Sequence, residues 1–219
     1  MRSSWFVVVL AACQAPGPAP EPGTAAMVCP ADQLHDLDTH WARRDCAVDA
    51  ATCRTACETD HDPGACMSLG IALEKSPVTA KDATSSYLRA CELGLASGCT
   101  NYAAFLWKHN RKNAAAACAA AMFDKTCAVG DPFACGMVGR MIVDDATGPA
   151  DLARGQARLE QACDKTGGFP CRVLALELEG KLGVGADQHA RIEQLLVAAC
   201  KAGDASACGV HATVAETFN

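Results

Sequence analysis

Residues 91–99 read CELGLASGC, two cysteines with seven residues between them. Along one unbroken helix their Cα atoms would stand about 12 Å apart at 1.5 Å rise per residue. A disulfide spans roughly 4.4–6.8 Å. Either the thiols are unpaired or the chain folds back between them. The spacing returns in CAVGDPFAC (127–135), CDKTGGFPC (163–171) and CKAGDASAC (200–208), and one residue longer in CETDHDPGAC (57–66). The leading cysteines 91, 127, 163 and 200 lie 36, 36 and 37 residues apart, and 57 precedes 91 by 34. A fixed period in this range is the signature of a repeat solenoid.

The flanks repeat as well. Counting forward from the second cysteine of each pair, the third position holds Leu69, Tyr102, Val138, Leu174 and His211. The fourth holds Gly70, Ala103, Gly139, Ala175 and Ala212, always small, and the seventh Leu73, Leu106, Ile142, Leu178 and Ala215. That spacing is one helical face, and its small residue admits a neighbouring helix closely. Counting backward from the first cysteine, the fourth position is large and apolar: Tyr87, Phe123, Leu159, Leu196. The eighth is Ala83, Ala119, Gly155 or Ile192, on the same face of a second helix. Each repeat therefore reads as two helices, A and B. The first cysteine closes helix B and the second opens the next helix A. Gly94, Gly130 and Gly203 stand between them as helix stops. In the fourth pair Thr166 takes that place with Gly167 behind it, which predicts a different turn. Asp131-Pro132 suits a turn entering a helix. The expected disulfides are Cys57–Cys66, Cys91–Cys99, Cys127–Cys135, Cys163–Cys171 and Cys200–Cys208. Each adds roughly 2–3 kcal/mol on the chain-entropy model.

Composition agrees. The chain has 219 residues, half of them hydrophobic and 5% aromatic, with much alanine, which favours close-packed helices over strands. Its net charge is −6 and it has no lysine- or arginine-rich block, so nothing points to nucleic acid. Fifteen cysteines mean metal sites in a reducing compartment or disulfides outside it. The N-terminus chooses between them. MRSSWFVVVLAAC has Arg2 and an apolar run from Trp5 to Ala12, too short to cross a bilayer and the length of a signal-peptide core. Leu10-Ala11-Ala12-Cys13 resembles a bacterial lipobox. The resemblance implies cleavage before Cys13 and a diacylglycerol on its sulfur, and Gln14 by analogy implies outer-membrane delivery, facing the periplasm or the cell surface. Residues 14–28, rich in Pro, Gly and Ala, read as a tether. Residues 29–56 are expected to form a helical cap, and 57–219 about four and a half repeats. Outside the five pairs and Cys13 remain Cys29, Cys46, Cys53 and Cys118, with three connectivities open.

The junctions CELGLASGC and CKAGDASAC, with the Gly-rich turn in EGKLGVGAD (179–187), resemble the disulfide-rich branch of the Sel-one-like repeat proteins. These are the Helicobacter-type cysteine-rich proteins, relatives of tetratricopeptide arrays. The match covers about residues 57–219. WKHNRKN (107–113) and VDDATGPAD (143–151) depart from that turn. The resemblance implies an all-α, right-handed α/α superhelical solenoid presenting a concave face to a partner. For some members it implies penicillin binding or weak β-lactamase activity.

The residues themselves offer little chemistry. No serine has lysine three residues on, so the serine β-lactamase pair is missing. Lys165-Thr166-Gly167 spells a K-T-G element, but inside a junction rather than on a strand. The six histidines are scattered, without the cluster a metallo-hydrolase needs. ETDHDPG (58–64) offers a divalent cation Glu58, Asp60, His61 and Asp62, although a solvated acidic turn explains it better. In HDLDTH (35–40), Asp36 and Asp38 read as exposed acids. Cys53 and Cys57 have zinc-compatible spacing but belong to an exported chain, where oxidation is expected. No cofactor or metal is expected. The remaining candidate is the surface of helix A at its first, fifth and eighth positions. There Trp107, Arg140 and Arg172 are residue types that dominate interfaces, with Glu179 beside them. The expected function is a non-catalytic envelope scaffold that binds a protein, a peptide or a peptidoglycan fragment on its concave face. The alternative is a weak penicillin-binding or β-lactam-hydrolysing enzyme. A spacer without a ligand is the third reading.

Overall fold

The computed structural model describes residues 29–75, 79–109, 114–180 and 188–210. A 3-10 turn at Pro30–Gln33 precedes nine α-helices among these residues: α1 (Ala50–Glu58), α2 (Pro63–Glu74), α3 (Ala80–Glu92), α4 (Ala96–His109), α5 (Ala114–Ala128), α6 (Pro132–Asp144), α7 (Pro149–Thr166), α8 (Gly168–Glu179) and α9 (Gln188–Lys201). Residues 205–210 are helical again. Each helix packs on the next, α1 on α2 through to α8 on α9, as in a helical repeat solenoid. The A helices are α2, α4, α6 and α8, and the B helices α1, α3, α5, α7 and α9. Cys13, the residues 14–28 and His211 lie outside the described residues, as does most of EGKLGVGAD.

The junctions are built alike. After α3, the Gly94 N–H bonds to the Cys91 carbonyl at 2.9 Å and the Leu95 N–H to Ala90 at 3.0 Å. After α5, Gly130 and Asp131 repeat this to Cys127 and Thr126, and after α9 Gly203 and Asp204 repeat it to Cys200 and Ala199. Gly94, Gly130 and Gly203 have φ of +87°, +99° and +95°, the left-handed conformation that such a helix stop requires. The fourth junction differs. There α7 runs through Thr166, Gly167 takes φ +64°, and α8 starts at once. In the longer first junction the left-handed residue is His61. These reversals bring the Cα atoms of Cys57 and Cys66, Cys91 and Cys99, Cys127 and Cys135, Cys163 and Cys171, and Cys200 and Cys208 to 4.4–4.8 Å, each pair disulfide-bonded.

Within a repeat, a large residue of helix B fills the gap left by a small residue of helix A. Tyr87, Phe123, Leu159 and Leu196 are each at most 3% exposed. A Cβ added at Gly70 would overlap the Tyr87 ring, and one at Gly139 would stand 2.7 Å from Leu159 Cγ. The exchange also runs the other way, since a Cβ at Gly155 of α7 would lie 2.6 Å from Val143 Cγ2 of α6. The A helices do not all stack alike. α6 packs broadly on α8, whereas α2 barely meets α4.

Of residues 29–56, expected as a helical cap, only the 3-10 turn and the stretch from Ala50 are helical. Between the 3-10 turn and α1 the chain is an extended strap that crosses the second repeat. Asp38 pairs in parallel with Leu95, its N–H bonding to Gly94 O and its carbonyl accepting Ala96 N–H, both at 2.8 Å. Ala31 is buried in the same core as Phe123 and Met122, with Leu34 and Leu37 packed against it. Cys29 is bonded to Cys118 in the middle of α5, 89 residues away, and Cys46 is bonded to Cys53. On the chain-entropy model the first closure is worth roughly 4–5 kcal/mol against about 2.5 for a junction pair. Replacing Cys29 and Cys118 by serine should therefore lower the guanidinium-unfolding free energy by about 2 kcal/mol more than replacing Cys91 and Cys99. Equal losses would show that the strap contributes no long-range closure.

Candidate ligand groove

The structure separates the residues expected on one binding face. Trp107 is 6% exposed and belongs to the core with Ala115 and Ala119, because alanine-rich α5 leaves room for an indole. Val143, at the same repeat position of α6, is also buried. The eighth position is thus core in the two middle repeats and surface only at Glu74 and Glu179. Trp107 is corrected from ligand contact to core residue. Glu179 is exposed at the end of α8. Arg140 is half-buried, its Nε 3.7 Å from Asp144 and 3.8 Å from Glu177.

Arg172 is engaged otherwise. Its Nε donates to Asp204 Oδ2 at 2.8 Å, and its guanidinium lies 5.1 Å from the Phe169 ring centroid. Asp204 in turn accepts from the Ser206 and Ala207 N–H groups at the start of the next helix. The same device recurs. Asp62 caps α2 through Ala65 N–H and pairs with Arg44. Asp131 caps α6 through Ala134 N–H at 2.9 Å and also meets the Thr100 hydroxyl. Each of these junction aspartates thus meets a donor from an earlier segment, and Thr100 and Arg172 both stand one residue after a junction cysteine. Where the cap position is not acidic, at Leu95 and Gly167, that preceding position carries Met67 or Gly136. The first position of helix A therefore addresses the next junction rather than solvent.

The first junction's acidic loop is accounted for in the same way: Asp62 is a cap, and Arg89 donates to His61 Nδ1 at 3.2 Å. No group of three His, Cys, Asp or Glu placed to hold a metal occurs among the described residues. Lys165 and Thr166 end α7, where the Thr166 hydroxyl donates to Ala162 O at 2.8 Å.

What the fold does open is a groove of about 640 Å³ where α2 and α4 diverge over α3. Tyr87 and Thr84 line it from α3, Phe105, Asn101, Lys108 and His109 from α4, and Phe133 from the start of α6. The Tyr87 hydroxyl donates to Glu74 Oε2 at 2.7 Å. Burial, reinforced by that carboxylate, holds the Tyr87 proton far above the usual tyrosine range. Phe105 and His109 stack with ring centroids 4.5 Å apart. Phe133 packs on Phe169 at 4.1 Å, so the groove's far wall is braced by the next repeat. Lys75 and Lys108 have no ion-pair partner among the described residues. Sequence reasoning missed the groove because its residues flank the core stripe at uneven positions. The usable signal was the set of aromatics outside the repeat pattern, Phe105 and Phe133. No family model matches this chain, and neither does any curated protein sequence. Seven disulfides point to an oxidising, extracytoplasmic setting. No helix among the described residues is long and apolar enough to cross a membrane.

Two outcomes follow for the caps. Arg172→Ala and Asp204→Ala should be coupled in a stability double-mutant cycle by about 0.5–3 kcal/mol. Additive losses would mean that the contact is incidental. Burial raises the Asp131 carboxyl above its ordinary 3.8 despite its hydrogen bonds. The folded state then holds this proton more tightly than the unfolded chain, so Asp131 opposes folding as pH rises from the unfolded value through the folded one. Asp131→Asn keeps an acceptor without the charge, so its stability relative to wild type should improve as pH rises across that window. A difference that stayed flat in urea titrations from pH 3 to 7 would refute this.

Proposed function

We propose that this chain is an exported, right-handed solenoid of the disulfide-rich Sel-one-like kind, held to the outer membrane by lipid on Cys13, and that it binds without catalysis. Its ligand is an envelope peptide or peptidoglycan fragment, taken up in the groove between α2 and α4 in place of the face first expected. The observation that carries this reading is the groove itself. It has an aromatic lining rather than a purely alanine one, a wall braced by the neighbouring repeat, and two cations that pair with no acid among the described residues, in a chain of net charge −6. Preformed concave sites lined by aromatics with a few polar groups are where small ligands and peptide segments bind.

Photocrosslinking tests it. A benzophenone side chain at position 105 should give a specific envelope adduct, whereas one at the exposed Val129 should not. Adducts of equal yield from both positions, or none at 105, would remove the groove from consideration. Nitrocefin turnover that survives repurification of the oxidised protein would overturn the non-catalytic part. A Cys13→Ser protein that still fractionated with membranes would overturn the lipid anchor.

A further inference from the structure

We infer that the groove's ligand is an acidic peptide lying extended across the first two repeats, with separate carboxylates meeting Lys108 and Lys75. This rests on the groove reading and names its ligand class. Lys75 and Lys108 each stand nine residues after a junction cysteine, at the C-terminal ends of successive A helices, and the next two repeats carry Asp144 and Gly180 at that position. Carbonyl ends of helices favour cations there without needing a counter-ion, and neither ammonium group is paired with an acid among the described residues. Lys75 also borders a second cleft of about 390 Å³, whose lining includes Ile71, Ala72 and the exposed Arg43. Arg44 beside it is already paired with Asp62. The two clefts meet at Lys75. They form one track with cations at Arg43, Lys75 and Lys108, carboxylates at Asp45 and Glu74, and apolar surface between them.

That pattern fits a strand-like peptide. Its alternate side chains point the same way, so acidic groups can reach the lysines while intervening residues meet Phe105 and Phe133 or Ile71. Glu74 sharpens the selection. Its carboxylate stands in the same groove with Tyr87 on one oxygen, so it disfavours an uninterrupted run of acids and favours an uncharged residue above it. Asp144, with Arg140 and Glu177 near it, makes the following repeat unwelcoming to a further carboxylate. A polynucleotide carries a charge at every residue, and the chain's net charge of −6 and lack of a lysine- or arginine-rich block disfavour it.

The test is fluorescence anisotropy with the full-length oxidised protein. The probes are a fluorescein-labelled peptide with two glutamates flanking a phenylalanine, its glutamine analogue, and an acidic muramic-acid disaccharide without peptide. The glutamate peptide should bind in low salt, weaken steeply between 0.05 and 0.5 M salt, and exceed its glutamine analogue by about tenfold. Lys75→Gln with Lys108→Gln should abolish that preference, and Arg158→Gln, outside the track, should preserve it. Equal binding of both peptides would overturn the acidic specificity while leaving the groove reading intact. Tighter binding of the disaccharide would overturn the peptide. No binding of the glutamate peptide would overturn the proposal, and a blank crosslink at position 105 would then remove the groove as well.

Discussion

The sharp reversal between consecutive helices, locked by a disulfide across eight or nine residues, is the constraint on which this molecule depends. A left-handed residue turns the chain, two backbone hydrogen bonds close the helix end, and the cysteine pair holds the entering and leaving helices together. Alanine and glycine occupy so many interface positions that each hairpin offers little apolar area of its own. Covalent closure reduces the freedom of the unfolded chain where burial is weakest. The interlocking of Leu159 with Gly139, and of Val143 with Gly155, then sets how closely paired helices approach.

The period of the cysteines carried the architecture into view before any coordinates. The fourth and eighth positions before Cys91, Cys127, Cys163 and Cys200 are all buried, from Ala83 and Tyr87 to Ile192 and Leu196. Helix stops at Gly94, Gly130 and Gly203 follow from the same alignment because only one backbone conformation completes the turn. What stayed hidden arises between repeats, where a periodic pattern carries no direct signal. Trp107 looks like an interface residue until it is seen buried in one core with Ala115 and Ala119 of alanine-rich α5. Arg172 looks like a binding residue until Asp204 is found in front of it. The strap was hidden for a related reason: its main-chain pairing with Leu95 and its bond to Cys118 join segments far apart in the chain, and no local motif encodes that meeting.

The three aspartates that cap helices at the repeat junctions, Asp62, Asp131 and Asp204, show how repeats of unequal sequence are kept in register. Each satisfies helix N–H groups on its own side and takes a further donor from an earlier segment, whether Arg44, Thr100 or Arg172. At α4, where leucine replaces the acid, the strap's Asp38 carbonyl accepts the Ala96 N–H instead. Main chain thus stands in for a missing side chain. Divergence of α2 from α4 in the neighbouring region leaves a large aromatic-lined opening. Its lysines fall at matching places in two consecutive repeats and nowhere else along the A helices.

The bond from Cys29 to Cys118 also decides how the molecule bears load. Tension applied upstream of Cys29 passes through sulfur straight into the middle of α5. Everything between the two cysteines, α1 to α4 with all of the groove but its Phe133 wall, forms a closed covalent loop beside that route. A pull between the two ends of the chain would strain the later hairpins first and leave the early ones mechanically sheltered.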